Sequence, residues 1–326
     1  MWFPEGRNPM ACSLPAPKRG AVDYIISPTY DVWVKERQDF PARISPRRVK
    51  GRTMFEVKVN RTRLGAAISM MSVIYHATVY DLRKTHPNAL IGLMINIFQS
   101  LMMVAVFYVM MSVLGLRSSA LRGDFLLYIM SGVFIFMANI KTMKAVSSAA
   151  GPTSSMMLHG PMNTLVSIIA AALGALYVQI LSIIVILIIY SLAVNPVEIH
   201  DPAGASMMLF LGWFNGVSVG IVFMALKPWF PQFTAMASMF YMRVNMFASG
   251  KMFVANTLPF FMLALFSWNP LFHIIDQARG FAFINYFPHY SSWQYPLIVS
   301  IVLTFLGMMG DSYSRKYVSA SWDARR

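Results

Sequence analysis

Apolar residues in this chain run in long blocks, not in the short alternation of a half-buried strand. A helix needs about 20 apolar residues to cross the hydrocarbon of a bilayer. Six blocks are candidates: 90–114, 125–140, 165–194, 207–226, 233–248 and 296–309. The first, third and fourth are long enough as they stand, whereas the other three are short and need flanking residues. Ahead of them, Ile68, Met71, Tyr75, Thr78 and Leu82 recur at helical spacing within 66–86, and Asp81, Arg83 and Lys84 close the run. That pattern predicts an amphipathic helix lying in the membrane interface. Pro87 ends it, because a residue before proline is pushed out of helical geometry.

The stretch between the fifth and sixth blocks breaks the pattern. "ANTLPFFMLALFSW" is interrupted at Pro259, and "SWNPLFHIIDQARGFAF" is greasy yet carries His273, Asp276 and Arg279. Both are too short to cross. Asn269 and Pro270 suit an N-cap and a first helical position. Leu271, Ile274, Ile275 and Ala278 then form an apolar stripe, while His273, Asp276 and Gln277 face another way. Asp276 and Arg279, three residues apart, are placed to pair along the helix. Broken backbone at membrane depth is tolerated only against protein or a wet cavity, so a re-entrant or interfacial helical pair forming a lid is expected. The predicted fold is an all-α integral membrane domain over 66–326: six transmembrane helices, an N-terminal interface helix, and re-entrant outer helices between the fifth and sixth spans.

Composition agrees with that class. Only 12% of the 326 residues are charged, against about a quarter in a soluble domain. The net charge of +14 gathers near the two ends and in a few loops. That is positive-inside topology, not a nucleic-acid surface. Six crossings leave every inner segment net basic and both ends on the cytoplasmic side, with "NPVEIHDPAG" and the 249–293 stretch outside. Residues 1–65 are basic and Pro-rich, with too little apolar surface to offset ordering, and are expected to be a disordered cytoplasmic extension. Their start lacks the apolar core of a signal peptide. The single cysteine, Cys12, excludes an internal disulfide.

Motifs for soluble chemistry are weak. Gly250-Lys251 is followed by Met252, so no phosphate loop forms there and no nucleotide hydrolysis is expected of this chain. His273 and Asp276 lack a third ligand nearby, so no metal is expected. "GVSVG" matches a nucleophile elbow but falls mid-span, where Gly212, Gly216 and Gly220 recur every four residues. Close helix packing is the favoured reading, with a membrane hydrolase as the alternative. Arg243 lies inside a predicted span and either faces the bundle interior or water, or snorkels from a helix end. In 147–161, Gly151-Pro152 and Gly160-Pro161 bracket "TSSMMLH". This is either an ordinary loop or a short helix whose Met156, Met157 and Leu158 insert into a partner's groove.

Three stretches resemble one family. "WNPLFHIIDQAR" is similar to the Trp-Asn-Pro-Leu-x-His-x-x-Glu-x-x-Arg signature of the permease subunits of type-two ABC exporters, those for capsular polysaccharide and O-antigen. "RVNMFASGKMF" resembles their fifth-span pattern, and "YDLRKTHPNALIG" the segment entering their first span. The likeness covers roughly 70–320; Asp276 stands for the usual Glu, and Ile91 for the Leu before Gly92. The resemblance implies a homodimer in the bacterial inner membrane, bound to two copies of a separate ATPase that carries the ATP and Mg, with no cofactor in this chain. It implies a polysaccharide substrate, with periplasmic and outer-membrane export proteins as further partners.

It also implies roles. Ser148, Pro152, Met156, Met157, Leu158, His159 and Pro161 would couple to the ATPase. Arg243, Ser249, Gly250, Trp268, Asn269, Pro270, His273, Asp276 and Arg279 would form the outer gate, with the last charged residues decorating its mouth. A glycan path needs stacking faces, for which Tyr177, Trp213, Phe214 and Tyr241 are candidates; the alternative for these aromatics is a lipid-facing belt.

Overall fold

The computed structural model describes residues 63–85, 88–113, 124–149 and 163–323. The 1–62 part of the basic extension and the coupling candidates Pro152, Met156, Met157, Leu158, His159 and Pro161 lie outside the described residues. All regular elements among the described residues are helical: α1 (Arg63–Thr85), α2 (Ala89–Val113), α3 (Phe125–Ser147), α4 (Thr164–Ala193), α5 (Pro202–Leu226), α6 (Pro231–Ala248), α7 (Phe260–Phe266), α8 (Pro270–Ala282) and α9 (Gln294–Asp323), with a 3-10 turn at Ala255–Thr257.

Among the described residues, five helices are long and apolar enough to cross a membrane: α2, α3, α4, α5 and α9. The chain thus has multi-pass membrane character. The remaining expected crossing, 233–248, is a helix of 18 residues but is not among the five. Gln232, Thr234, Ser238, Arg243 and Asn245 dilute its apolar content. Several expected boundaries move outward. Lys141 and Lys144 end the apolar block at 140, yet α3 continues to Ser147, because Lys141 donates to Asn96 of α2 inside the bundle. Asp201 caps α5 by accepting from Ala203 and Gly204 N–H, with Pro202 at the first position, so this helix starts before residue 207.

The five helices are held by close contacts and by buried polar groups. Gly212, Gly216 and Gly220 of α5 lie against Ile135, the Asn139 backbone and Val146 of α3, so the two helices run parallel. The four-residue spacing serves packing. Asn139 Nδ2 donates to the Gly212 carbonyl and to Asn215 Oδ1, each at 3.0 Å. Asn215 passes the chain of bonds to Ser300 at 3.0 Å, and Thr304 donates to Ser218 at 2.9 Å, fixing α9 parallel to α5. Interhelical bonds of this kind contribute about 0.6 kcal/mol each in a membrane. Between α2 and α4, Asn96 Nδ2 reaches the Val178 carbonyl and Ser182 Oγ. On α1, Thr78 and Leu82 meet Gly174 of α4, whereas Ile68, Met71 and Tyr75 of the same stripe are exposed.

Cross-links place the loops at two ends of the bundle. At one end Asp124 accepts from Tyr190 and Asn195, and His200 and Asp201 N–H donate to the Ala282 and Phe281 carbonyls. At the other, Trp229 donates to Ser314 at 2.9 Å. The short helix α8 therefore reaches the Asp124 end, while Ile274, further back along it, packs over Gly212.

Candidate functional site

Helix α8 starts as its sequence dictates. Asn269 Oδ1 accepts from Leu271 N–H at 3.1 Å and Pro270 occupies the first turn. The Asn269 amide also donates to Asn245 Oδ1 and to the Ala248 carbonyl, both at 2.9 Å, so one residue caps the start of α8 and the end of α6.

The side chains of α8 do not divide into an apolar face and a wet one. Leu271, Ile274 and Ile275 are buried, but so are His273, Asp276 and Arg279, at 7%, 2% and 0% exposure. The expected Asp276–Arg279 pair does not form. Arg279 turns to backbone instead: Nη1 donates to the Gly250 carbonyl at 2.9 Å and the Phe253 carbonyl at 2.6 Å, and Nη2 to the Lys251 carbonyl at 2.5 Å. Its guanidinium lies 4.1 Å from the centre of the Tyr128 ring. Three carbonyls of the turn after α6, of which Gly250 also accepts from Phe253 N–H, outcompete one carboxylate, because a planar guanidinium satisfies several acceptors at once.

Asp276 serves the other flank. Its Oδ1 accepts from Tyr286 at 2.5 Å and Ala255 N–H at 3.3 Å, and Oδ2 accepts from Ser291 at 2.6 Å. Burial, and then the Asp276 charge, hold the Tyr286 hydroxyl well above its ordinary pKa, so it remains a donor. His273 completes the set. Ser292 N–H donates to Nδ1 at 3.1 Å, which leaves the proton on Nε2 to bond the Ser267 carbonyl at 2.8 Å. Gln277 adds a bond to the Ser291 carbonyl at 2.7 Å. These residues tie 245–256, 267 and 286–292 to one helix; they do not decorate an open mouth.

The turn itself requires glycine. Gly250 has φ +71°, and a Cβ there would sit 2.5 Å from the Phe272 ring. Next to it Ser249 is fully buried, and its hydroxyl has no partner among the described residues. Lys251 is 2% exposed, and its ammonium lies 3.4 Å from the centre of the Phe136 ring and 4.5 Å from that of Phe107. It makes no hydrogen bond among the described residues. The two rings favour the cation by about 2 kcal/mol, but burial of an ion costs several. Burial wins and pushes the group down to about 7.

The other expected site residues are dispersed. Trp268 is 82% exposed, and Arg243 is exposed on α6. Ser148 ends α3 with its hydroxyl on the Lys144 carbonyl. Tyr177 is exposed on α4, Trp213 donates to the Ala172 carbonyl, Phe214 packs on the core below α8, and Tyr241 meets Phe223 edge-on. None of these four aromatics lines the cleft described below. Sequence reasoning missed Lys251, Tyr286 and Ser291, and also the amides Asn96, Asn139, Gln179 and Asn215. The amides carried a readable signal, since a carboxamide inside an apolar run has to find a partner.

Compared with models of known protein families and with curated proteins, the chain matches none.

Proposed function

We propose that the chain is the membrane-spanning permease subunit of a type-two ABC exporter that moves a polysaccharide outward across the bacterial inner membrane. The observation that carries this reading is the buried network of α8. The residues that resemble the exporter signature, Asn269, His273, Asp276 and Arg279, are those whose side chains bind the flanking chain together. Their spacing thus serves a rigid insert between α6 and α9, as an outer gate would need.

In this reading α6 is the fifth of six crossings, and both ends lie in the cytoplasm. Its 18 residues rise about 27 Å at 1.5 Å each, close to the roughly 30 Å of hydrocarbon. Helices α7 and α8 then form the re-entrant outer pair. Two copies of the chain pair with two ATPase subunits that hold the ATP and Mg. Closure of the ATPases pushes the 147–161 loops and tilts the bundles. The insert, held on both flanks, moves as one body and uncovers the path between the copies. Trp268, exposed and free of the network, is the signature residue placed to meet a sugar ring.

The test is gentle purification of the tagged full chain, followed by surface-glycan staining of a deletion strain. A nucleotide-binding chain in equal amount and loss of surface glycan restored by the intact gene are expected. Normal glycan and no ATPase would overturn the proposal. Retained ATPase with loss of a lipid, drug or teichoic-acid-like polymer would assign a different type-two permease.

A further inference from the structure

A cleft of about 880 Å³ opens at the Asp124 end of the bundle, between α2 and α4 and against the start of α3. Its origin is visible in the packing. Asn96 ties α2 to Val178 and Ser182 of α4, and beyond that bond the two helices line a gap. The α2 wall is Leu101, Val104, Ala105 and Tyr108, and the α4 wall includes Ile186, Ile189 and Ala193. Each set recurs every three or four residues, so each helix turns one face to the gap.

The cleft is amphipathic along its length. Asp124, Tyr190 and Asn195 form a polar knot at the helix ends, with Asp124 Oδ2 accepting from Tyr190 at 2.7 Å and from Asn195 at 3.0 Å. The other carboxylate oxygen makes no hydrogen bond among the described residues. From the knot the apolar walls run toward the middle of the bundle, about 10 Å over residues 101–108 at the helical rise. Leu101, Ile189 and Val194 at the rim are exposed. The volume suits a small-molecule site, for which about 300–1,000 Å³ is usual.

We infer that this cleft holds one membrane lipid with an ammonium headgroup, its amine on Asp124 and part of a tail between α2 and α4. Three observations support that occupant. The walls belong to helices that are long and apolar enough to lie in a bilayer, so the ligand reaching them is lipid. The polar knot sits at the helix ends and the apolar shaft points inward, which is the orientation of a lipid in that leaflet. The Asp124 carboxylate repels an anionic headgroup and attracts a cationic one. The inference does not depend on the exporter reading.

The test uses the full chain in nanodiscs of equal phosphatidylethanolamine, phosphatidylcholine and phosphatidylglycerol, with retained lipid measured by native mass spectrometry after detergent exchange. One phosphatidylethanolamine per chain is expected, at least tenfold above either other lipid. Ala105 and Ala193 are exposed, so Ala105→Trp and Ala193→Trp fill the cleft without crowding the core. Each should cut retention tenfold at an unchanged melting temperature. Asp124→Asn keeps acceptors for Tyr190 and Asn195; it should retain phosphatidylethanolamine and phosphatidylcholine equally. Retention in the input ratio, or full retention by both tryptophan variants, would overturn the inference. A photocrosslinker at position 105 that captures a second copy of the chain or residues 114–123, and no lipid, would do the same.

Discussion

Helices α6 and α8 start 39 residues apart, at Pro231 and Pro270, and invert the usual relation between polarity and burial. α8 carries an acid, a base and a histidine, and buries eight of its 13 residues. α6 exposes Phe233, Met236, Met239, Phe240 and Phe247, and buries only Thr234 and Asn245. In water this arrangement would be unstable. In a bilayer the apolar surface needs no cover, and polar groups are the ones that must find partners. Hydropathy therefore marks what may face lipid, and hydrogen-bond demand marks what has to be inside.

Arg279→Ala should break the contrast most severely. It strands the Lys251 and Phe253 carbonyls, at about 1–3 kcal/mol for each unsatisfied group, and leaves the Gly250 carbonyl only the Phe253 N–H. A loss on the order of 4 kcal/mol is expected in denaturant unfolding of the reconstituted chain. Arg279→Lys should recover less than half of it, because a single ammonium cannot span the Gly250, Lys251 and Phe253 carbonyls. A silent Arg279→Ala variant would show that the insert is held by apolar packing alone.

Lys251, at the junction of the two helices, gives an intermediate effect with a pH signature. Its folded pKa of about 7 lies below the unfolded value, which is about 10.4. Between these values the unfolded chain binds the extra proton, so stability rises with pH. Below about 7 both states hold the proton and the full burial penalty applies. Lys251→Met should therefore be more stable than the native chain at pH 7, with the gap closing toward pH 10 in melting curves. Parallel curves would mean that the ammonium is solvated in the folded protein.

The smallest effects belong to α6. Phe240 is 70% exposed and Arg243 is exposed. Phe240→Ala and Arg243→Gln should each change unfolding by less than about 0.5 kcal/mol. A larger loss from either would mean that this face is packed against protein.

Much of this fold was readable in the chain. The apolar blocks at 90–114 and 165–194 became α2 and α4 within a residue or two, because long apolar runs bounded by turn residues leave little choice. Asn269-Pro270 set the start of α8 for local reasons. The partners of α8 were not readable. Residues Asp276 and Arg279 have the spacing of a helical pair, but their bonds go to positions 250–255 and 286–291, which only tertiary contact brings near. Burial of Lys251 was hidden for the same reason, since Phe107 and Phe136 come from two other helices. The end of α3 was misjudged because hydropathy counts Lys141 as a stop, whereas Asn96 gives it a partner.

Hydrogen exchange on the reconstituted full chain tests most directly whether the polar side chains of α8 make the insert one body. The amides of residues 250–256 and 271–282 should exchange slowly and together in the native chain, and Arg279→Ala should accelerate both groups by the same factor. Fast exchange of 250–256 beside a protected α8 in the native chain would contradict it.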